Sequence, residues 1–165
     1  MACDLLVLVG VIGAGKTAAA RGLVERGWAW VDFDALWHRD GFADESRRGE
    51  FIRDLAQRLN RDEEFDRPTV IDGWWTWSPR WWEAEQDESL AGLEALLMRH
   101  RVRIGYLAMN ETEAWDAYAV KALAGMYSAP DQSLELADPD AYRSTIPDRI
   151  AALERRIVEH AKWVR

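Results

Sequence analysis

The sequence predicts an α/β fold: a three-layer α/β/α arrangement with helices on both faces of a mostly parallel sheet of four or five strands. Three observations predict it. Short apolar runs alternate with amphipathic helical stretches along the chain, the pattern of successive βαβ units. The first run, Leu5-Leu6-Val7-Leu8-Val9, is continuous rather than alternating, as expected of a strand buried on both faces. A glycine-rich turn comes directly after it and leads into an alanine-rich helix.

The elements then run in order. Lys16 to Arg26 reads as a helix closed by Gly27. Trp28 to Phe33 alternates large apolar residues and reads as the second strand, ending on Asp32 and Asp34. Glu45 to Asn60 places Phe51, Ile52, Leu55 and Leu59 on one helical face. Thr69-Val70-Ile71 is the third strand, ending at Asp72-Gly73. Leu90, Leu93, Leu96 and Leu97 mark another amphipathic helix, and Val102 to Met109 the fourth strand. Asn110 with Glu113 has the form of a capping box, opening a helix that carries Trp115, Tyr118, Ala122, Leu123 and Met126. Ser128 to Thr145, with Pro130 and Pro139, reads as a loop or mobile segment. Thr145-Ile146-Pro147-Asp148 starts a last helix, with Ile150, Leu153, Ile157, Ala161 and Val164 inward. There is no internal repeat, low-complexity tract or linker, so residues 1–165 are expected to form one domain with a candidate lid at 128–145. No fifth strand is legible after the fourth.

Composition bounds the function. The chain is 48% apolar and 30% charged, an ordinary balance for a soluble globular protein. Its longest apolar run is too short to span a bilayer and lacks the flanks of a signal peptide, so no membrane association and a cytoplasmic location are expected. The single cysteine, Cys3, excludes an internal disulfide and a zinc cluster. A net charge of -8 argues against indiscriminate nucleic-acid binding; nucleic acid is expected only as a substrate held by some local feature. Oligomeric state is not readable.

The strongest chemical signal is Gly10-Val11-Ile12-Gly13-Ala14-Gly15-Lys16-Thr17, which satisfies G-x-x-x-x-G-K-[ST] in full. Gly10, Gly13 and Gly15 let the backbone take positive φ and, with Ala14, bring N–H groups close to phosphate oxygens. The helix beginning near Gly15 aims its free N–H groups and positive dipole end at an anion. Lys16 adds a point charge near the β- and γ-phosphates, and the Thr17 hydroxyl suits a magnesium ion. ATP and Mg²⁺ are therefore the expected ligands. At the end of the second strand, Asp32 and Asp34 are spaced to share one side, towards the same phosphate site; a cap on the next turn is the other reading for one of them. Asp72 reads equally as a magnesium-side carboxylate of Walker B type, an acceptor contact or the start of an Asp-Gly turn.

Gly-Ala-Gly-Lys-Thr, then a helix, then Gly27-Trp28-Ala29-Trp30-Val31-Asp32-Phe33-Asp34 resembles the small-metabolite kinase branch of P-loop proteins, which includes shikimate kinase, dephospho-coenzyme A kinase and the nucleoside-monophosphate kinases. The resemblance covers about the first 75 residues well and the rest in outline. It implies a kinase that moves the ATP γ-phosphate to a hydroxyl or phosphate of a small acceptor. By it, Lys16 and Asp34 would be catalytic, Asp34 would bind and orient the acceptor hydroxyl, and Asp32 would help hold magnesium through water. The family usually carries an arginine-rich lid after the fourth strand; here Lys121, Arg143 and Arg149 stand in that region without the family's spacing.

Five of the ten tryptophans, Trp74, Trp75, Trp77, Trp81 and Trp82, fall together beside Arg80. The segment leaves the sheet on the ligand side, where Trp75 and Trp77 suit stacking on a base and Arg80 an acceptor phosphate. Helix packing or a partner interface would account for the same cluster. A nucleotide or nucleobase-bearing acceptor is favoured, a hydroxymethylpyrimidine, free or in DNA, among them. The alternatives from other classes are a nucleotide-dependent ATPase or switch, and an interaction module without a small acceptor.

Overall fold

The computed structural model describes residues 3–33, 35–36, 54–55, 57–59, 61, 65–72, 100–124 and 138–160. Four strands and three longer helices organise these residues: β1 (Cys3–Val9), α1 (Lys16–Val24), β2 (Ala29–Asp32), β3 (Thr69–Asp72), β4 (His100–Tyr106), α2 (Glu111–Leu123) and α3 (Pro139–His160). The strands form one sheet in the order β2-β3-β1-β4. Every pairing is parallel. The α/β class expected from the sequence is therefore the class observed.

The central position of β1 explains its unbroken apolar run. Leu5, Val7 and Val9 pack into the larger core, together with Val31, Phe33, Ile71, Val102, Tyr118 and Tyr142. Leu6 and Leu8 turn to the other face, where they meet Ala19, Ala20 and Leu23 of α1 with Val70 and Trp30. Alternate residues of one strand thus feed two cores, and helices cover both faces. Leu55 and Leu59, from the amphipathic stretch before β3, are buried in the larger core. Phe51 and Ile52, and the leucines from Leu90 to Leu97, lie outside the described residues.

α2 starts where its capping box requires. The Asn110 side chain accepts from the Glu113 N–H, and Glu113 accepts from the Asn110 N–H, each at 2.9 Å. Tyr118 is the anchor of its buried face, stacked on Tyr142 of α3 with ring centroids 4.1 Å apart. Trp115 stacks on Tyr118 in turn at 5.6 Å. Leu123 is 90% exposed and contributes nothing to that face. β4 is fastened to α3 by the Tyr106 hydroxyl, which donates to Glu154 at 3.3 Å.

Three strand and helix boundaries differ from those expected: β4 runs from His100 to Tyr106 rather than from Val102 to Met109, and the last helix and the second strand are also shifted. The last helix begins at Pro139, so residues 139–145 of the candidate lid segment are helical. Asp138 caps it, accepting from the N–H groups of Asp140 and Ala141 at 3.0 and 3.2 Å, with Pro139 at the first helical position. Pro147 lies inside the helix rather than at its start. It withholds an N–H from the Arg143 carbonyl, a loss tolerable because Arg143 is exposed to water. Residues 128–137 lie outside the described residues. The second strand ends at Asp32, and Phe33 is already helical, which bears on the site below.

Candidate functional site

The order β2-β3-β1-β4 puts the chain's reversal at β1. From the carboxyl end of β1 the chain departs into α1 on one face; from its neighbour β4 it departs into α2 on the other. The crevice at such a junction is where ligands gather in open parallel sheets. The segment Gly10–Thr17 occupies it.

Two glycines of that segment take left-handed backbone, Gly13 at φ 85° and Gly15 at φ 84°. This geometry is strained for any residue with a β-carbon. Gly15 is also the N-cap of α1, so the first-turn N–H groups that a helix cannot satisfy internally open onto the loop. Lys16 folds back over the turn, its Nζ donating to the carbonyls of Gly10 and Val11 at 3.1 and 3.2 Å. The ammonium is thereby held over the loop interior.

The carboxyl edge of the sheet supplies the opposite charge. Strand register aligns Leu8 of β1, Asp72 of β3 and Asp32 of β2 in one row. Asp72 comes two residues after Val70 and therefore projects to the α1 face, towards the first turn of α1. There it lies close enough to the Thr17 hydroxyl for that group to favour its ionised form. Asp72 is 4% exposed. Burial pushes its pKa up, and the neighbouring Asp32 charge adds to that; the Thr17 hydroxyl, Lys16 and Lys121 act the other way without overcoming it. A hydroxyl and a carboxylate side by side at the loop mouth are hard oxygen donors of the kind that magnesium takes, with waters completing its shell. Among the described residues no group of three or more His, Cys, Asp and Glu forms a self-sufficient metal cluster.

Asp32 does something other than pair with Asp34 on a strand face. Its Oδ1 accepts the Ala35 N–H at 2.9 Å, the bond of an N-cap to the third residue of a helical turn. The strand stops there, where the side chain takes up the Ala35 N–H and Phe33, Ala35 and Leu36 are helical. The strand therefore ends at Asp32, which takes the capping reading left open for one of the pair; Asp34 itself lies outside the described residues. So do Trp75, Trp77 and Arg80.

The three lid candidates separate. Lys121, in the last turn of α2, is near enough for its charge to favour ionisation of Asp72. Arg143 instead lies over the Trp115 ring at 4.9 Å. Arg149 lies over the Tyr142 ring at 5.2 Å and donates to the Thr145 hydroxyl at 3.0 Å. Both arginines are engaged around the aromatic stack that joins α2 to α3.

The wall of the loop was not legible in the sequence. Leu107, just after β4, puts its carbonyl where a β-carbon on Gly10 would come within 2.9 Å. Ala117 of α2 puts its methyl where a β-carbon on Gly13 would come within 2.3 Å. Nothing in the spacing of the chain marks either residue.

The chain matches no family model and no curated protein. Among solved structures, a protein called APE1195 is similar at 15% identity, with a TM-score of 0.49 over 90% of this chain and 97% of that one. No helix among the described residues is long and apolar enough to cross a membrane.

Proposed function

We propose that this protein is a P-loop phosphotransferase, an ATP- and magnesium-dependent kinase acting on a small acceptor. The observation that carries the reading is the buried Asp72, set beside Thr17 at the mouth of a loop whose lysine is held over its interior. A glycine-rich turn alone needs neither a buried carboxylate nor a hydroxyl partnered to it.

In this reading the N–H groups from Gly13 to Thr17 cradle the β- and γ-phosphates, and Lys16 turns from the loop carbonyls to the phosphate oxygens. Thr17 and Asp72 hold the magnesium ion, directly or through water, and Asp32 supports it from the neighbouring strand. Bound there, the ion supplies neutralisation of phosphate charge. Lys121 contributes a second cation from α2. An acceptor oxygen forms a bond to the γ-phosphorus as the bridging bond to the β-phosphate breaks; ADP leaves with the bridging oxygen. A hydroxyl acceptor gives its proton to a carboxylate, the role that resemblance assigns to Asp34. Asp32 and Asp72 are otherwise occupied, the first as a cap and the second with Thr17. Trp75, Trp77 and Arg80 remain the acceptor-side candidates because their segment leaves the carboxyl end of β3, beside Asp72.

The test is an acceptor screen with γ-labelled ATP and magnesium, covering nucleosides, nucleotides, DNA with modified pyrimidines and small hydroxylated metabolites. Label transferred to one acceptor, and lost in Lys16→Ala, supports the kinase. Label released only as inorganic phosphate under every condition points to an ATPase, and no turnover at all points to a binding module.

A further inference from the structure

α2 does more than cover the sheet. With Tyr118 set towards the core, helical geometry puts Ala117 and Lys121 together on one flank, one turn apart, and Trp115 on the other. The first flank meets the phosphate loop at Gly13, and the second meets the aromatic stack on α3. The helix is thus wedged between the loop and α3, and the atom it presents most closely towards the Cβ direction of Gly13 is the Ala117 methyl.

The Gly13 contact is narrow in two independent ways. Its φ of 85° is one that only glycine adopts without strain. The direction a β-carbon would take is already filled, since the Ala117 methyl would stand 2.3 Å from it, well inside contact distance. On the far side of the loop, the Leu107 carbonyl and the Ala14 methyl close on Gly10 in the same manner, each 2.9 Å from a β-carbon built there. The loop therefore cannot retreat from a larger residue at position 117 without moving its own N–H groups. Those are the groups that would meet the phosphates.

We infer that Ala117 is a positioning residue for the phosphate loop: its methyl sets the distance between α2 and Gly13, and through it the arrangement of the N–H groups and of Lys121 around bound phosphate. This rests on the phosphate-site reading given above. A larger side chain at 117 displaces the loop, whereas glycine at 117 leaves the loop in place and opens room for a β-carbon at 13. The two positions are therefore coupled in nucleotide affinity.

The experiment is a titration of magnesium-ATP into the full chain, with apo thermal midpoints recorded on the same samples. The proteins are the parent, Ala117→Leu, Val120→Leu, Gly13→Ala, Ala117→Gly and the double variant Gly13→Ala with Ala117→Gly. Val120 is on the same helix and 68% exposed, so its substitution controls for added bulk. Ala117→Leu is expected to weaken magnesium-ATP by about tenfold or more, with Val120→Leu unchanged. Gly13→Ala is expected to lose at least about threefold more affinity beside Ala117 than beside Gly at 117. Backbone strain at position 13 is common to both arms and cancels. If Ala117→Leu fails to fold, the glycine cycle still decides. Equal losses in the two arms, or coupling seen only in the apo thermal midpoints, would overturn the inference while leaving the phosphate site standing. A parent protein that does not bind magnesium-ATP would overturn both.

Discussion

Replacing Asp72 by Asn should make the empty protein more stable and the nucleotide-binding protein worse. Asp72 is 4% exposed, and burial is the largest influence on its proton affinity, with Asp32 opposing ionisation from the next strand. The effective penalty of a buried ion is several kcal/mol, and a hydrogen bond to a charged group returns about 1.5–3 of that. Thr17, Lys16 and Lys121 offset part of the penalty, but the raised pKa means that the balance remains unfavourable to the carboxylate. Asparagine keeps the shape and an acceptor for Thr17 without the charge. We expect a gain of roughly 1–2 kcal/mol at neutral pH, or a thermal midpoint about 2–6 °C higher. The folded-state carboxyl holds its proton more tightly than the unfolded one. Its ionisation therefore works against the fold above the folded pKa, and the penalty fades as pH falls through that value towards the ordinary aspartate range. The advantage of the Asn variant should accordingly be largest at neutral pH and shrink on acidification. Magnesium-ATP affinity should move oppositely, falling by at least about tenfold because a charged magnesium-side donor is lost. Thermal melts from pH 7 to pH 4 with calorimetric titration of magnesium-ATP measure both. A variant that melts lower than the parent at pH 7, or that binds magnesium-ATP as tightly, would refute the reasoning.

The same geometry yields further outcomes. Lys16→Ala should abolish turnover while the protein remains folded by circular dichroism, because the transferring phosphate loses a charge worth several kcal/mol in the transition state; turnover within about threefold of the parent would contradict the role. Asp32→Ala should cost about 0.5–2 kcal/mol of stability through the lost cap, whereas Asp32→Asn should keep the cap and raise the magnesium requirement; denaturation curves and a magnesium titration of turnover read the two effects. Tyr118→Ala should lower stability by about 3–5 kcal/mol, since a fully buried ring stacked on Tyr142 is removed; a chemical denaturation curve checks it. Trp75→Ala or Trp77→Ala should raise the acceptor KM with little change in ATP affinity, and sedimentation on the same variants separates this from an interface role.

What the sequence made legible was local. The phosphate loop is a contiguous motif whose glycines, lysine and threonine each have a backbone or charge requirement, so it could be read residue by residue. The Asn110–Glu113 box was legible for the same reason, and it is formed as written. The row of Leu8, Asp72 and Asp32 depends on pairing between strands far apart in the chain, and no local pattern specifies register. Asp32 takes the capping reading that the sequence left open for one of the pair, because the chain turns helical directly after it; Asp34 lies outside the described residues. α3 opens at Asp138-Pro139 rather than at Thr145-Ile146-Pro147, because the Asp138 carboxylate caps the first turn and a proline is tolerated at the first helical position. The Ala117–Gly13 contact involves the least informative side chain on a helix and could not have been found without coordinates.

Everything proposed for this chain turns on Gly10–Thr17 with Asp72 forming a site for the phosphates of a magnesium-bound nucleotide. Calorimetric titration of the parent protein with ATP, ADP and adenosine, with magnesium and with a chelator, tests that site without any acceptor. Such a site binds ATP and ADP saturably and more tightly with magnesium, leaves adenosine unbound at the same concentrations, and loses the phosphate-dependent part in Lys16→Ala. Adenosine binding as tightly as ATP, or ATP binding indifferent to both magnesium and Lys16, would contradict it.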